Sequence, residues 1–171
     1  MSVTKQNHVF TRRWASSVLK SSLIVAILDG LAAVISAQLQ FGIGPQRVFQ
    51  YIASGLMGQD AYSAGLAAAS FGLLLHWLIA LTWSGFFFLL FPKQRISVAA
   101  KVLAGILVGL VIYITMQYVV VPLSLVAARP PMLRIEQALI HIFFVGIPIS
   151  FSAARFRERQ LSFEAPVQKV D

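Results

Sequence analysis

Hydrophobic and polar positions divide this chain into four long apolar runs, 23–43, 64–91, 102–126 and 135–154, separated by short polar stretches. Each holds roughly the 20 residues needed to cross a bilayer core as a helix. The second is the most apolar: between 61 and 91, His76 is the only side chain that titrates near neutral pH. The pattern predicts an all-α integral membrane four-helix bundle.

Within the runs the less greasy residues recur at helical spacing, so each helix has a face suited to protein contact. In the first, Asp29, Ala33, Ser36 and Gln40 share a side; in the second, Gly65, Ala69, Gly72, His76 and Trp83 do. The third carries Gly105 and Gly109, a G-x-x-x-G step that lets another helix approach, within the chain or in a homo-oligomer, and then Tyr113, Gln117 and Pro122. The fourth aligns Gln137, His141, Pro148 and Ser152. Between the first two runs, Gly42, Gly44 and Pro45 break the pattern, and 45–54 sets Val48, Phe49, Ile52 and Ala53 against Gln46, Arg47, Gln50 and Ser54. This predicts a short interfacial amphipathic helix between spans one and two, with Asp60 as N-cap of the second span. After the third run, Arg129, Pro130 and Pro131 predict a sharp turn.

Composition narrows the class further. Of the 171 residues 58% are hydrophobic and 12% charged, outside the range of soluble domains. The mean hydropathy of +0.78 agrees. The net charge of +8 sits in clusters beside the apolar runs, with no basic stripe interleaved with aromatics, so the reading is no nucleic acid and a lipid bilayer as partner. Lys5, Arg12, Arg13 and Lys20 precede the first run; Lys93, Arg95 and Lys101 lie between the second and third; Arg155, Arg157, Arg159 and Lys169 follow the fourth. The opposite loops hold only Arg47, Arg129 and Arg134, so eleven basic residues against three predict cytoplasmic termini. Segment 1–22 then reads as a cytoplasmic basic N-terminal stretch, 23–154 as the membrane domain and 155–171 as a cytoplasmic tail. A basic start before an apolar run also fits a signal peptide, with Ile35-Ser36-Ala37 as a poor cleavage site. The length of the run and Asp29 inside it favour retention as a span. Cysteine is absent, which removes disulfides and thiolate chemistry.

Counting at 1.5 Å per residue from the basic flanks puts His76, His141 and Gln117 at one level in the outer half, and Asp29 nearer the midplane. Asp29, His76, Gln117 and His141 form the candidate intramembrane polar site, with Arg47 and Gln50 as candidate external-face residues. Several chemistries fit that set. His76 and His141 on different spans could ligate a haem axially; zinc would need Asp29 as well. An Asp with two His could carry protons or ions. Ser-His-Asp spacing, paired carboxylates within a helical turn and a glycine-rich phosphate loop are absent from the sequence, so an enzyme is not predicted and no cofactor is assigned. The remaining reading makes these residues interhelical hydrogen-bond partners in an interaction or assembly component.

The two halves show a faint repeat: Leu28-Asp29-Gly30 against Leu103-Ala104-Gly105, and Leu74-Leu75-His76 against Leu139-Ile140-His141. Asp29-Gly30, Pro45 with Gln50-Tyr51-Ile52-Ala53-Ser54-Gly55, Gly72-Leu73-Leu74-Leu75-His76, and His141 with Gly146-Ile147-Pro148 resemble the YagU-like small bacterial inner-membrane proteins of unknown function. The resemblance spans most of 25–150. It implies a multi-pass four-helix protein of the bacterial inner membrane and carries no activity, ligand or catalytic residue.

Overall fold

The computed structural model describes residues 3–126 and 134–164, with side chains over 11–126 and 134–162. The turn expected at Arg129, Pro130 and Pro131, and Lys169 of the tail, lie outside the described residues. Five helices carry the fold: α1 (Val3–Phe41), α2 (Pro45–Met57), α3 (Gly65–Leu90), α4 (Val98–Leu123) and α5, which runs through Ile135–Ile140, His141–Gly146 and Ile147–Glu164. A 3₁₀ turn, Gly58–Tyr62, links α2 to α3. All but α2 are long and apolar enough to cross a membrane, and no strand occurs among the described residues.

Helix α1 begins far before the apolar run. Its 39 residues would span about 58 Å, about twice a bilayer core, so it projects beyond any membrane. The basic segment is drawn into the helix because Trp14, Val18, Ser21, Ser22 and Val25 continue the inward face through it. At the other end Gly42 takes φ +66, where its amide reaches the Gln38 carbonyl at 3.0 Å. That left-handed cap ends α1, and Pro45 starts α2 at a position where its missing N–H has no helical partner to lose.

Helices α4 and α5 each contain a π turn, Met116–Val120 and His141–Gly146. Each ends two residues before a proline, Pro122 and Pro148. A proline cannot donate to the carbonyl four residues back, and the wider turn absorbs the mismatch.

In the packing, α1 touches α3 on one side and α5 on the other, while α5 also takes α4. An apolar core of Val25, Ala80, Val108, Ile112, Val145 and Ile149 draws on all four spans. A second cluster, Val18, Phe88, Phe91, Ala153, Ala154 and Phe156, closes the end that carries the termini. The G-x-x-x-G step of α4 is used inside the chain. An added Cβ at Gly105 would lie 2.7 Å from the Ile147 Cα, and one at Gly109 would lie 2.5 Å from the Ile142 Cα. Of the two occupants that motif allows, the chain's own α5 fills the site, which closes that face to a second copy.

Part of the polar side of α2 is packed into the bundle, while Gln46 and Arg47 stay exposed. Gln50 and Ser54, expected on its polar side, are buried together with Ala53. The reason is Gly72: its missing side chain admits the α2 backbone so closely that a Cβ there would fall 1.9 Å from the Phe49 carbonyl oxygen. Gln50 survives burial by donating to the Gly65 carbonyl at 3.0 Å. Beyond α2, the Leu125 amide donates to the Gly55 carbonyl at 2.9 Å, so α2 bridges α3 to the end of α4.

At the opposite end Arg157, 8% exposed, donates to the Phe88 carbonyl at 3.0 Å. Phe88 lies in the last turn of α3, and the residue four on, Pro92, has no N–H to donate to its carbonyl. Arg157→Leu is expected to leave that oxygen unpaired and lower stability by about 1.5–3 kcal/mol, read as a lower thermal midpoint in detergent.

Candidate functional site

Asp29 and His76 meet between α1 and α3. The His76 Nε2 lies 3.1 Å from the Ala26 carbonyl oxygen and 3.8 Å from Asp29 Oδ2. A carbonyl only accepts, so Nε2 carries the proton and donates, and the carboxylate stands just beyond hydrogen-bond range. The side chains are 11% and 17% exposed, enough to hold the pair inside the bundle with little solvent. Gly30 lies beside the ring, where a Cβ would meet His76 Nε2 at an ordinary 3.4 Å. The Asp29-Gly30 dipeptide thus lies against the His76 ring. His76 is 11 residues into α3, about 16 Å from that helix's first residue.

From the α2 side, Phe49 closes the pair, its ring edge-to-face with His76 at 6.2 Å between centroids. Phe49 was expected on the apolar side of α2, but nothing in the spacing ties it to His76. The link comes from the close approach at Gly72, four residues before His76 on the same face of α3.

His141 belongs to a different group. Its Nδ1 donates to the Gln137 carbonyl at 2.8 Å and its ring packs edge-to-face on Tyr113 at 5.7 Å. The Tyr113 hydroxyl accepts from the Arg134 amide at 2.9 Å. Gln117 is half-buried on the π turn of α4 and makes no side-chain hydrogen bond among the described residues. The four expected residues therefore do not converge: Asp29 and His76 come together, His141 pairs with Tyr113, and Gln117 joins neither. The two imidazoles pack on different residues, His76 on Ala26, Asp29 and Phe49 and His141 on Gln137 and Tyr113. No three His, Asp or Glu side chains gather among the described residues, and the set Asp29, His76 and His141 is not assembled as a zinc site.

Arg47 and Gln50 do share a hollow of about 420 Å³ with Gly44, Pro45, Gln46 and Tyr62. Arg47 is exposed and lies over the Tyr62 ring at 4.1 Å, whereas Gln50 faces inward. A third polar group joins α1 to α5 near this end. Ser36 and Gln40 both donate to Glu136, and Arg134 donates to the Gln40 side-chain oxygen at 3.0 Å. Ser36 and Gln40 were visible on the Asp29 face; Glu136, in the first turn of α5, gave no signal of its own before the helices were placed.

Comparison with protein-family models, curated proteins and solved structures returns no match to this chain. What the site can do must follow from its chemistry. The interior polar groups act between neighbouring helices: His76 on the α1 backbone, Tyr113 on the start of α5, and Trp77 donating to Ser22 at 3.2 Å. Each such bond contributes about 0.6–2 kcal/mol to helix association in a membrane.

Proposed function

We propose that this chain is a non-enzymatic, multi-pass component of the bacterial inner membrane, with both termini cytoplasmic, that works through contacts with other membrane components. The orientation rests on the eleven-to-three distribution of basic residues, and the membrane type on the YagU-like resemblance. The observation that carries the reading is the lopsided neighbourhood of α4. Its inward side is packed on α5, while Leu103, Leu107, Val111 and Ile114 form an exposed ridge on another side; among the described residues α5 is the one helix packed closely along its length, with α2 meeting only the residues just past its end. A span with one neighbour has a face free for a partner, including a second copy bound through this ridge in place of Gly105 and Gly109.

A photo-crosslinking residue at Leu107 in native membranes tests this. The expected result is a defined adduct, identified by mass spectrometry as another membrane protein or a second copy, with none from Leu31 on the exposed side of α1. Free chain alone from Leu103, Leu107 and Val111 would overturn it.

The Asp29–His76 pair favours a second reading, proton-linked transport, because an ionisable pair inside a span often marks an ion path. Purified protein in liposomes loaded with a pH indicator separates the two. The first reading expects the proton flux of protein-free vesicles from both the parent chain and Asp29→Asn. Flux that Asp29→Asn abolishes would establish transport instead.

A further inference from the structure

Where α5 leaves the apolar region, Arg155, Glu158, Arg159 and Ser162 share one helical face. Opposite them, Arg95 reaches in from the stretch between α3 and α4 and donates to the Ser162 hydroxyl at 3.2 Å. With Ile96 these residues line a cleft of about 720 Å³ at the end of the bundle that carries the termini. The volume is within the roughly 300–1,000 Å³ of small-molecule sites. Three arginines thus line one cleft, with the Arg95 guanidinium on the Ser162 hydroxyl. The single carboxylate in the lining, Glu158, is held by Lys101 at 2.6 Å, so an ammonium already balances its charge.

We propose that this cleft binds the phosphate headgroup of an anionic phospholipid. Guanidinium forks match phosphate oxygens in pairs, and two arginines one turn apart with a third across the cleft form a suitable cradle. A lipid is favoured over a soluble phosphate by what adjoins the charges. Phe151, one turn before Arg155 on the same face, is 39% exposed, and Leu89 and Leu90 at the end of α3 are more exposed still. A headgroup beside Arg155 and Arg159 would lay its acyl chain along Phe151. Ile96, packed against the apolar cluster of Phe88, Phe91 and Phe156, gives the cleft an apolar wall. The proposal rests on the chain lying in a bilayer, and the leaflet follows from the orientation proposed above.

The test reconstitutes the full chain in phosphatidylcholine vesicles containing a minority of phosphatidylglycerol, re-extracts it in mild detergent and quantifies the retained lipid. The expected result is a retained pool enriched in phosphatidylglycerol. Arg155→Lys with Arg159→Lys keeps the charge and removes the forks; enrichment should fall about tenfold, the effect of one lost charge-assisted hydrogen bond. Arg47→Lys, at the other end, should leave it unchanged. Equal retention of both lipids, or full enrichment in the double lysine variant, would overturn the proposal. Stabilisation of the lipid-free, detergent-solubilised protein by inorganic phosphate, with phosphate displacing the retained lipid, would assign the cleft to a soluble anion and overturn the lipid reading. Failure of the chain to enter vesicles at all would strike the membrane reading itself.

Discussion

Alanine at Gly146 is expected to pull α4 away from α5 and leave little folded protein. The added Cβ would lie 2.1 Å from the Gly105 carbonyl oxygen, 2.4 Å from the Gly109 nitrogen and 2.7 Å from the Gly109 Cα. Carbon contacts are comfortable near about 3.5–4.0 Å, so α4 must retreat by roughly 1 Å or more. All three atoms are backbone, and no rotamer change relieves them. Retreat would also part Val108 and Ile112 from Val145 and Ile149 in the central core. Alanine is the better helix former by about 1 kcal/mol, which opposes the clash. Overpacking at about 3 kcal/mol or more outweighs it. The natural control is Gly85→Ala, where the nearest atom is the Val18 Cγ1 at an ordinary 3.8 Å. There the propensity gain stands unopposed, and stability should hold or rise. Thermal midpoints in detergent and the amount of protein in the membrane check both; an unchanged Gly146→Ala would contradict the packing of α4 on α5.

The glycine pattern shows what one chain's sequence can and cannot carry. Apolar run length depends only on local composition, so the second span, expected over 64–91, is Gly65–Leu90 in the structure. Helix ends governed by packing were less legible. The inward face of α1 continues through Trp14 and Val18 into a segment that reads as a basic flank, and α5 runs ten residues past the expected end because Phe156 and Arg157 pack on the last turn of α3. Periodicity showed that Asp29 and His76 each lie on an inward face, but not that His76 would turn to α1 while His141 turned to Tyr113. Depth along a helix is a distance from its end; convergence also needs the rotation of each helix, which depends on long-range contacts such as Gly146 on Gly109. The faint repeat ran into the same limit. Gly30 receives the His76 ring, whereas its counterpart Gly105 receives Ile147, so the two halves close on different residues.

Gly72→Ala is expected to unseat α2 and open the Asp29–His76 pair to water. The new Cβ would stand 1.9 Å from the Phe49 carbonyl oxygen, 2.7 Å from its carbon and 3.1 Å from the Ala53 nitrogen. Here, unlike at Gly146, the opposing helix is short and does not itself span the membrane, so lifting α2 relieves the clash without parting α3 from α1. Phe49 would then leave the His76 ring, and Ser54, 1% exposed, would emerge with it. The chain has no cysteine, so Ser54→Cys supplies a single thiol of nearly the same size. In the parent background that thiol should resist a membrane-impermeant maleimide; with Gly72→Ala its labelling rate should rise about tenfold, the effect of shifting a local opening equilibrium by about 1.4 kcal/mol. Equal labelling in the two backgrounds would mean that α2 is not held by the contact at Gly72. The side from which label arrives carries a second result. Reaction in intact cells puts α2 outside, as the basic residues predict, whereas reaction only in inverted vesicles would reverse the proposed orientation and move the arginine cleft to the other leaflet.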